Sequence, residues 1–279
     1  MDAPPPVLEK RTIFTGDGVT IGDVRCRSCR SSWSPPEQAE RYALVFVRRG
    51  CFRRRTDESE VVADVAAVYL ERPGESYEIA HPHEGGDACT EIALDDALVS
   101  ATAADEPRLR RPLTFTPPHV DLEHRLLVAD ARRGNDVELG ERTISLAASL
   151  LSVRGEGGTH GRRRSAAAAR RRAVDGAREA VAASPRIGLV ELARSVAVSP
   201  HHLSRIFRAE TGETISRYRN RVRVRLALER LADGEECLTR LAAELGFADH
   251  AHLTRNVRTE LGSTPSALRR LVRTGSPGR

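Results

Sequence analysis

Two histidines carry the side chains best suited to bind a metal ion. His81 and His83 are two residues apart, so on a strand both would point to one side and could share a metal. Asp87 or Glu91 would then supply a carboxylate ligand. Pro82 between the histidines instead indicates a loop or an edge, and the sequence favours this plain anchoring pair.

Two cysteines form a second motif that could bind a metal or act as a redox pair. Cys26 and Cys29 have the Cys-x-x-Cys spacing of half a zinc site or of a redox pair. With Cys51, Cys89 or His81 they could complete a zinc site, but a second Cys-x-x-Cys is missing, which favours ordinary cysteines. We therefore predict no bound metal and no cofactor, and leave metal binding or redox sensing by these residues open. No phosphate-binding Gly loop, nucleophile elbow or carboxylate pair is present, so no catalytic residue is predicted.

Contact with DNA is the chemistry that the last third of the chain predicts. Residues 192–212 recur as residues 241–262, which indicates a duplicated unit. Each copy has a short apolar helix and then a second helix with one apolar and one polar face, the pattern of a helix-turn-helix. Ser199-Pro200 is typical of the start of the second helix and Gly212 of its end. The residues predicted to be buried are Leu192, Ala193, Val196, Leu203, Ile206 and Phe207 in the first copy and Leu241, Ala242, Leu245, Leu253, Val257 and Leu261 in the second.

The polar faces of the two second helices carry side chains that suit a major groove. Arginine binds guanine through two hydrogen bonds, while Ser, Thr and further Arg side chains contact phosphates. Arg205 and Arg255 are the leading base or phosphate contacts, and Arg208 and Arg258 are the phosphate contacts. The alternative, two helical hairpins with solvated outer faces, is weakened because the motif occurs twice. The predicted DNA-binding residues are His201, His202, Ser204, Arg205, Arg208, His250, Ala251, Thr254, Arg255 and Arg258.

A helix over residues 214–231 should join the two copies. Its length of about 27 Å would set the two reading helices roughly one DNA turn apart. Arginines at every second position from Arg217 to Arg225 are distributed around this helix, so only some can face DNA. Its predicted buried residues are Ile215, Tyr218, Val222, Leu226 and Leu231.

The first half of the chain has a different pattern. Short β-type runs give way to helical spacing of apolar residues over 118–153, and Pro73-Gly74 marks a turn. The Gly-rich, charged stretch 154–164 is typical of a flexible linker able to decouple two units. The predicted strands lie at 42–47, 68–70, 77–79 and 90–94.

The charge of the chain follows the same division. Its 44 basic and 39 acidic side chains give a net +5, but residues 1–160 carry −7 and residues 161–279 carry +12. The second part should therefore face a polyanion. No apolar run reaches the ~18–20 residues of a membrane span, a secretory signal pattern is missing, and five cysteines are too scattered for a disulfide scaffold. We therefore expect a cytoplasmic protein with no membrane contact.

Residues 165–273 resemble the DNA-binding domain of the AraC/XylS family of bacterial transcription regulators. The resemblance implies two helix-turn-helix units that read adjacent major grooves of promoter DNA, contact with RNA polymerase, and activation. The family tends to have aromatic residues where this chain has Leu253, Val257 and Leu261, so a thinner core is expected in the second unit. The residues that match are Leu192-Ala193, Ser199–Arg208, Thr211-Gly212, Arg221–Leu228, Leu241–Asp249, His252–Arg255 and Leu261–Pro265.

The first half resembles the cupin-like sensor domains of such regulators, through 44–50, Pro73-Gly74 and 81–90. It implies a small barrel that responds to a small-molecule effector and helices that could form a homodimer. The predicted fold is α+β and multidomain: a β-rich cupin-like barrel with two following helices over 1–153, a flexible linker over 154–164, and an all-α domain of two helix-turn-helix units joined by a helix over 165–273. A metal-dependent cupin enzyme with an incidental helical tail and a non-specific DNA-binding protein are the alternatives.

Overall fold

The computed structural model describes residues 8–27, 31–102, 113–152 and 164–274, in which a β-rich half precedes a helical half. The strands are β1 (Leu8–Gly16), β2 (Val19–Cys26), β3 (Glu37–Gln38), β4 (Tyr42–Arg49), β5 (Cys51–Thr56), β6 (Glu60–Asp64), β7 (Ala67–Glu71), β8 (Ser76–Ala80), β9 (Asp87–Leu94) and β10 (Leu113–Phe115). The helices are α1 (Asp96–Thr102), α2 (Pro118–Arg133), α3 (Leu139–Ser152), α4 (Arg164–Ala183), α5 (Leu189–Ser195), α6 (Pro200–Thr211), α7 (Ile215–Ala232), α8 (Leu238–Leu245), α9 (His250–Leu261) and α10 (Pro265–Thr274). None of the described helices is long and apolar enough to span a membrane.

The strands form two antiparallel sheets. The larger has the order β1-β2-β9-β4-β7-β10 and the smaller the order β3-β8-β5-β6. The four predicted strands are confirmed within β4, β7, β8 and β9, and the two predicted helices after them are α2 and α3. Among the described strands the hydrogen-bonded ladders stay within each sheet, so closure into a barrel is not shown.

The central strand β4 explains why its sequence is a continuous apolar run. Its side chains alternate between two cores, because a strand projects successive residues to opposite faces. Val45 and Val47 pack into a core on one face of the sheet, and Leu44 and Phe46 pack against helices on the other face. A strand that is covered on both faces has no polar side, unlike a strand with one face in water.

Helix α2 is covered on two sides. Val120 and Leu127 face the six-stranded sheet, whereas Leu126 and Ala129 join the core of the last helices of the chain. Both apolar faces of α2 are thus covered by other parts of the same chain. A homodimer through the helices of residues 118–153 stays a prediction, and α3 is the one of them with more free surface, for example at Ser145.

Helix α7 connects the two cores of the helical half. Its first half, with Tyr218 and Val222, packs into the core of α4, α5 and α6, and its second half, with Val224 and Leu228, packs with α8, α9 and α10. Ile215, Tyr218, Val222 and Leu231 are buried as predicted, but Leu226 is half-buried. The helix is covered on more than one side because the β-rich half also packs against it.

A buried carboxylate on β6 ties the two halves together. Asp64 is fully buried and accepts hydrogen bonds from Arg178 Nε on α4 at 2.8 Å and from the Tyr218 hydroxyl on α7 at 2.7 Å. Burial and the neighbouring Asp64 raise the pKa of Tyr218, so its hydroxyl keeps the proton that it donates. The sequence predicted a linker able to decouple the halves, but these contacts hold them together. Residues 154–163 of that linker lie outside the described residues.

A second buried ionic cluster lies between α2, α7 and the larger sheet. Glu229 on α7 accepts a hydrogen bond from Arg48 Nη1 at 3.1 Å and a further one from Arg125 on α2. All three side chains are buried, with 8% or less of each exposed. Burial raises the pKa of Glu229, but Arg125 and Arg48 outweigh it and lower the pKa below its ordinary value. Glu229 therefore stays charged at neutral pH.

Candidate nucleic-acid interface

The first helix-turn-helix consists of α5 and α6. Ser199 caps α6, because its hydroxyl accepts a hydrogen bond from the backbone N–H of His202 at 3.2 Å. Leu203 and Phe207 are fully buried on the inner face of α6. Gly212 ends the helix in the left-handed conformation, with φ 76°. The cap, the start and the end of α6 are thus confirmed as predicted.

The second helix-turn-helix consists of α8 and α9. Asp249 takes the place of Ser199 as the cap, and its carboxylate accepts a hydrogen bond from the backbone N–H of His252 at 2.6 Å. This bond lowers the pKa of Asp249. Leu253 and Val257 are buried on the inner face of α9, while Leu261 is only half-buried. The core that we expected to be thin is completed by Phe247, by Leu268 and Val272 on α10, and by Leu126 on α2.

The turns of the two units have different residues at the position that adopts the left-handed conformation. Ala197 has φ 55° between α5 and α6, and Gly246 has φ 78° between α8 and α9. These positions correspond in the repeat, and both take up the left-handed conformation that glycine adopts without strain. The first unit therefore carries strain in its turn that the second unit avoids.

The structure places the predicted DNA-binding residues on the outer faces of α6 and α9. The hydroxyls of Ser204 and Thr254 donate to the carbonyls of Pro200 and His250 at 2.9 and 2.8 Å, so both are engaged within their helices. Donating a hydrogen bond to a DNA phosphate would require these hydroxyls to rotate. The exposed members are His201, Arg205, Arg208, His250, Arg255 and Arg258, and the half-buried ones are His202, Ser204, Ala251 and Thr254.

The arginines of α7 separate into different roles. Arg225 is buried and donates to the carbonyl of Val65 at 2.8 Å in the β-rich half, and Arg221 pairs with Glu213 at 2.9 Å. Arg217 is exposed. Arg219 is half-buried and forms no ion pair with a carboxylate in the described part of the chain; burial lowers its pKa. Arg223 donates from Nε to the carbonyl of Pro185 at 2.7 Å, which leaves Arg217 and Arg219 as the arginines between positions 217 and 225 without such a partner in the described part of the chain.

Comparison with known proteins agrees with this architecture. Residues 192–271 match the family model described as a helix-turn-helix domain. The HTH-type transcriptional regulator Rv1931c of Mycobacterium tuberculosis is 34% identical over 85 residues, which are 30% of this chain and 32% of that protein. The C-terminal part of the chain therefore carries a helix-turn-helix domain. This domain is also similar to the bifunctional transcriptional activator/DNA repair enzyme Ada of Escherichia coli, 37% identical over 83 residues, 30% of this chain and 23% of Ada. The chain thus spans less than a third of the length of these relatives.

Two solved structures are similar at a greater distance. ToxT from Vibrio cholerae, solved with a bound unsaturated fatty acid, is 9% identical and aligns over 93% of this chain and 97% of its own, with a TM-score of 0.34. A Chromobacterium violaceum regulator with an AraC-type DNA-binding domain is 22% identical over 40% of this chain and 99% of its own, with a TM-score of 0.36. At such scores the likeness decides nothing about this chain.

The predicted histidine pair is split in the structure. His81 is buried, with Nε2 2.7 Å from Asp87 Oδ2, whereas His83 is exposed on the loop that Pro82 begins. The loop therefore places the two imidazoles in different environments, one buried and one exposed. Glu91, the other carboxylate considered, pairs with Lys10 at 2.7 Å. Cys29 lies outside the described residues.

The structure brings Cys26 together with His81 and Asp87, residues that the sequence had offered only in separate candidate sites. The three ligand atoms lie within 4.8 Å of one another, and all three residues are buried. They line a cavity of about 460 Å³ in the β-rich half, which is also lined by Phe52 and Tyr69. The signal that could have found this group is pairing of the strands that end at Cys26 and begin at Asp87, which short-range pattern does not reveal.

Proposed function

We propose that this chain is a sequence-specific transcription regulator whose two helix-turn-helix units read neighbouring major grooves of a promoter. One observation carries the proposal: two units of the same design present exposed arginines from α6 and α9, namely Arg205, Arg208, Arg255 and Arg258. In the described part of the chain none of these four pairs with a carboxylate. Their charges are therefore available for phosphates and guanine edges.

The spacing of the two units supports the same function. The 18 residues of α7 span about 27 Å, close to the ~34 Å that separate successive major grooves on one side of DNA. Because each half of α7 is packed into the core of one unit, the distance between the units is fixed before DNA binds. Preorganisation of this kind reduces the entropy that binding would otherwise cost.

The β-rich half is proposed to be the sensor, with residues 1–153, 154–164 and 165–273 as sensor, linker and DNA-binding domain. We propose that it is a cupin-like barrel and that its small-molecule effector occupies the cavity near Phe52 and Tyr69. About 460 Å³ is within the range of small-ligand sites, and the lining combines apolar with charged side chains. An effector there would act through the two sheets, one of which carries Asp64 and the other Arg48, because both residues contact the helical half.

Contact with RNA polymerase and activation of transcription belong to the proposal through the resemblance of residues 165–273 to the AraC/XylS family, and a homodimer belongs to it through the helices of residues 118–153. An incidental helical tail on an enzyme is disfavoured, because buried ion pairs join that tail to both sheets. A helical tail with no functional link to the β-rich half would not be expected to supply partners for buried Arg48 and Asp64.

The test begins with selection of bound duplexes from random-sequence DNA by the full-length chain. The selected duplex should bind at least ~10³-fold more tightly than random DNA at physiological salt. Arg205→Ala and Arg255→Ala should each cost ~1–3 kcal/mol of binding free energy, while Arg208→Ala should weaken selected and random DNA alike. The measurement is fluorescence anisotropy of labelled duplexes over a salt series.

The matched control is Arg273→Ala on α10. This exposed arginine pairs with Glu236 at 3.3 Å, so its loss removes one positive charge without touching α6 or α9. Equal affinity losses in the Arg273, Arg205 and Arg255 variants would mean that the arginines of α6 and α9 contribute only through the net positive charge of the protein. Similar affinities for selected and random DNA would establish the non-specific alternative instead.

A further inference from the structure

A cluster of potential metal ligands joins the two sheets of the β-rich half. Cys26 ends β2 and lies directly opposite Asp87, the first residue of β9, in the antiparallel register. His81 follows β8 of the smaller sheet, and its Nε2 lies 2.7 Å from Asp87 Oδ2. Three donors of different chemistry, sulfur, nitrogen and oxygen, thus meet from three separate segments of the chain.

The backbone around the cluster is built for close approach. Gly86, with φ 63°, lies so near the carbonyl of Cys26 that a Cβ at this position would be 1.9 Å from the carbonyl oxygen. Only glycine fits both the conformation and the space. The loop between His81 and Asp87 is thereby pressed against the end of β2, which holds the thiol beside the imidazole and the carboxylate.

We propose that Cys26 Sγ, His81 Nε2 and Asp87 Oδ2 bind a divalent transition-metal ion of the zinc class. Thiolate and imidazole select such ions over Mg²⁺ and Ca²⁺, which prefer oxygen ligands only. A thiolate and a carboxylate also balance the two positive charges of the ion, so the loaded site is neutral in a buried place where an unbalanced charge is costly.

The spacing of the ligands fits after a small adjustment. Tetrahedral coordination at about 2.0–2.3 Å places ligand atoms roughly 3.4–3.8 Å apart. The hydrogen bond between His81 and Asp87 therefore opens when the ion enters, and the thiol moves towards it. Cys89 donates from its Sγ to Asp87 Oδ1 at 3.0 Å, which keeps the other carboxylate oxygen turned to the site.

Three protein ligands leave one coordination position for another molecule. Cys26, His81 and Asp87 all line the cavity of about 460 Å³, so the fourth position opens towards it. This arrangement is typical of metal sites that exchange a water or a small ligand, rather than of closed structural sites with four protein ligands. The metal site does not involve α6 or α9, so it can be tested without DNA.

The experiment uses the full-length chain without a histidine tag. The chain is equilibrated with excess Zn²⁺ or Co²⁺, freed of unbound ion by gel filtration, and analysed for metal by mass spectrometry. We expect about one ion per chain, a sulfur-to-cobalt charge-transfer absorption in the Co²⁺ form, and a thermal midpoint that rises with Zn²⁺ concentration. Cys26→Ser, His81→Gln and Asp87→Asn should each lose most of the bound metal, and Cys26→Ser should lose the charge-transfer band.

Two controls remove exposed side chains of the same types. His83→Gln and Cys237→Ser should bind metal as the unaltered chain does, because both positions are exposed and outside the cluster. Absence of stoichiometric metal from the unaltered chain overturns the proposal even if a ligand variant does not fold. Metal retained by all three ligand variants, or lost equally in the His83 and Cys237 controls, overturns it as well.

Discussion

Replacing Asp64 by asparagine should loosen the junction between the β-rich half and the helical half. The carboxylate accepts hydrogen bonds from Arg178 Nε at 2.8 Å, the Tyr218 hydroxyl at 2.7 Å and the backbone N–H of Ala66 at 2.8 Å. Asparagine has one acceptor oxygen, so if that oxygen serves Ala66, its amide hydrogens face two donors. Arg178, with 4% of its side chain exposed, loses its buried carboxylate partner.

The magnitude follows from what is left behind. Removing one partner of a buried ion pair costs about 3–5 kcal/mol, whereas an exposed pair contributes about 0–1 kcal/mol. At ~2 kcal/mol per M, the Asp64→Asn midpoint in urea should fall by roughly 1.5–2.5 M. Tyr218→Phe removes a single hydrogen bond to a charged group and should cost about 1.5–3 kcal/mol. Glu236→Ala, which breaks an exposed pair with Arg273, should cost less than either.

Urea denaturation of the full chain, followed by far-ultraviolet circular dichroism, measures all three variants. Adding Arg178→Met to Asp64→Asn should restore part of the loss, because the orphaned charge is removed with its partner. A loss below about 1 kcal/mol in Asp64→Asn, equal to that in Glu236→Ala, would refute the view that this buried pair holds the two halves together.

Four further predictions concern the helix-turn-helix units and the junction. Ala197→Gly should raise the free energy of unfolding by roughly 0.5–1 kcal/mol, because it relieves left-handed strain but adds freedom to the unfolded chain; a loss of stability in urea would contradict it. Gly246→Ala should lower that free energy by about 1–3 kcal/mol, since a Cβ there would lie 3.1 Å from the Cα of Arg186; an unchanged urea midpoint would count against it. Because folding lowers the pKa of Glu229 below about 4.5, its charge stabilises the fold above that pH and the contribution is lost as the pH falls further. Glu229→Gln should therefore be much less stable than the unaltered chain at pH 7, and the difference between their urea midpoints should shrink at pH 4; a difference that does not change with pH would refute this. Ser199→Ala should cost ~0.5–2 kcal/mol through loss of the α6 cap, visible as reduced helix content on heating, and an unaltered melting curve would argue against the cap.

The helical half was predictable because its signals are local. Ser199, Pro200 and Gly212 lie at the ends of α6 and define where that helix begins and ends. Because the segment is repeated, the same prediction applies to α9. The buried residues of helix α7 were harder to predict, because hydrophobic periodicity assigns every charged residue to the exposed face of a helix. Arg225 and Glu229 are buried there, with partners more than a hundred residues away along the chain.

The β-rich half was harder for the same reason. Strand β5 reads as Cys-Phe-Arg-Arg-Arg-Thr, and three arginines in a row argue against a covered strand. Arg54 is nevertheless buried, because it pairs with Glu75 at 2.8 Å and lies over the ring of Tyr77 at 4.6 Å. Only the pairing of distant strands creates that environment. The split of His81 from His83 likewise depends on a loop whose path was not visible in the sequence.

Helix α2 makes the chain less modular than its two-part sequence suggests. Leu126 and Ala129 belong to the first half of the chain by sequence but complete the core around Leu253 and Val257 in the second helix-turn-helix. A chimaera that joined this helix-turn-helix domain to a foreign β-rich domain would therefore leave an apolar surface uncovered next to α9. The two halves are not interchangeable parts, and substitutions on either side of this contact should be tolerated only when the other side changes with them.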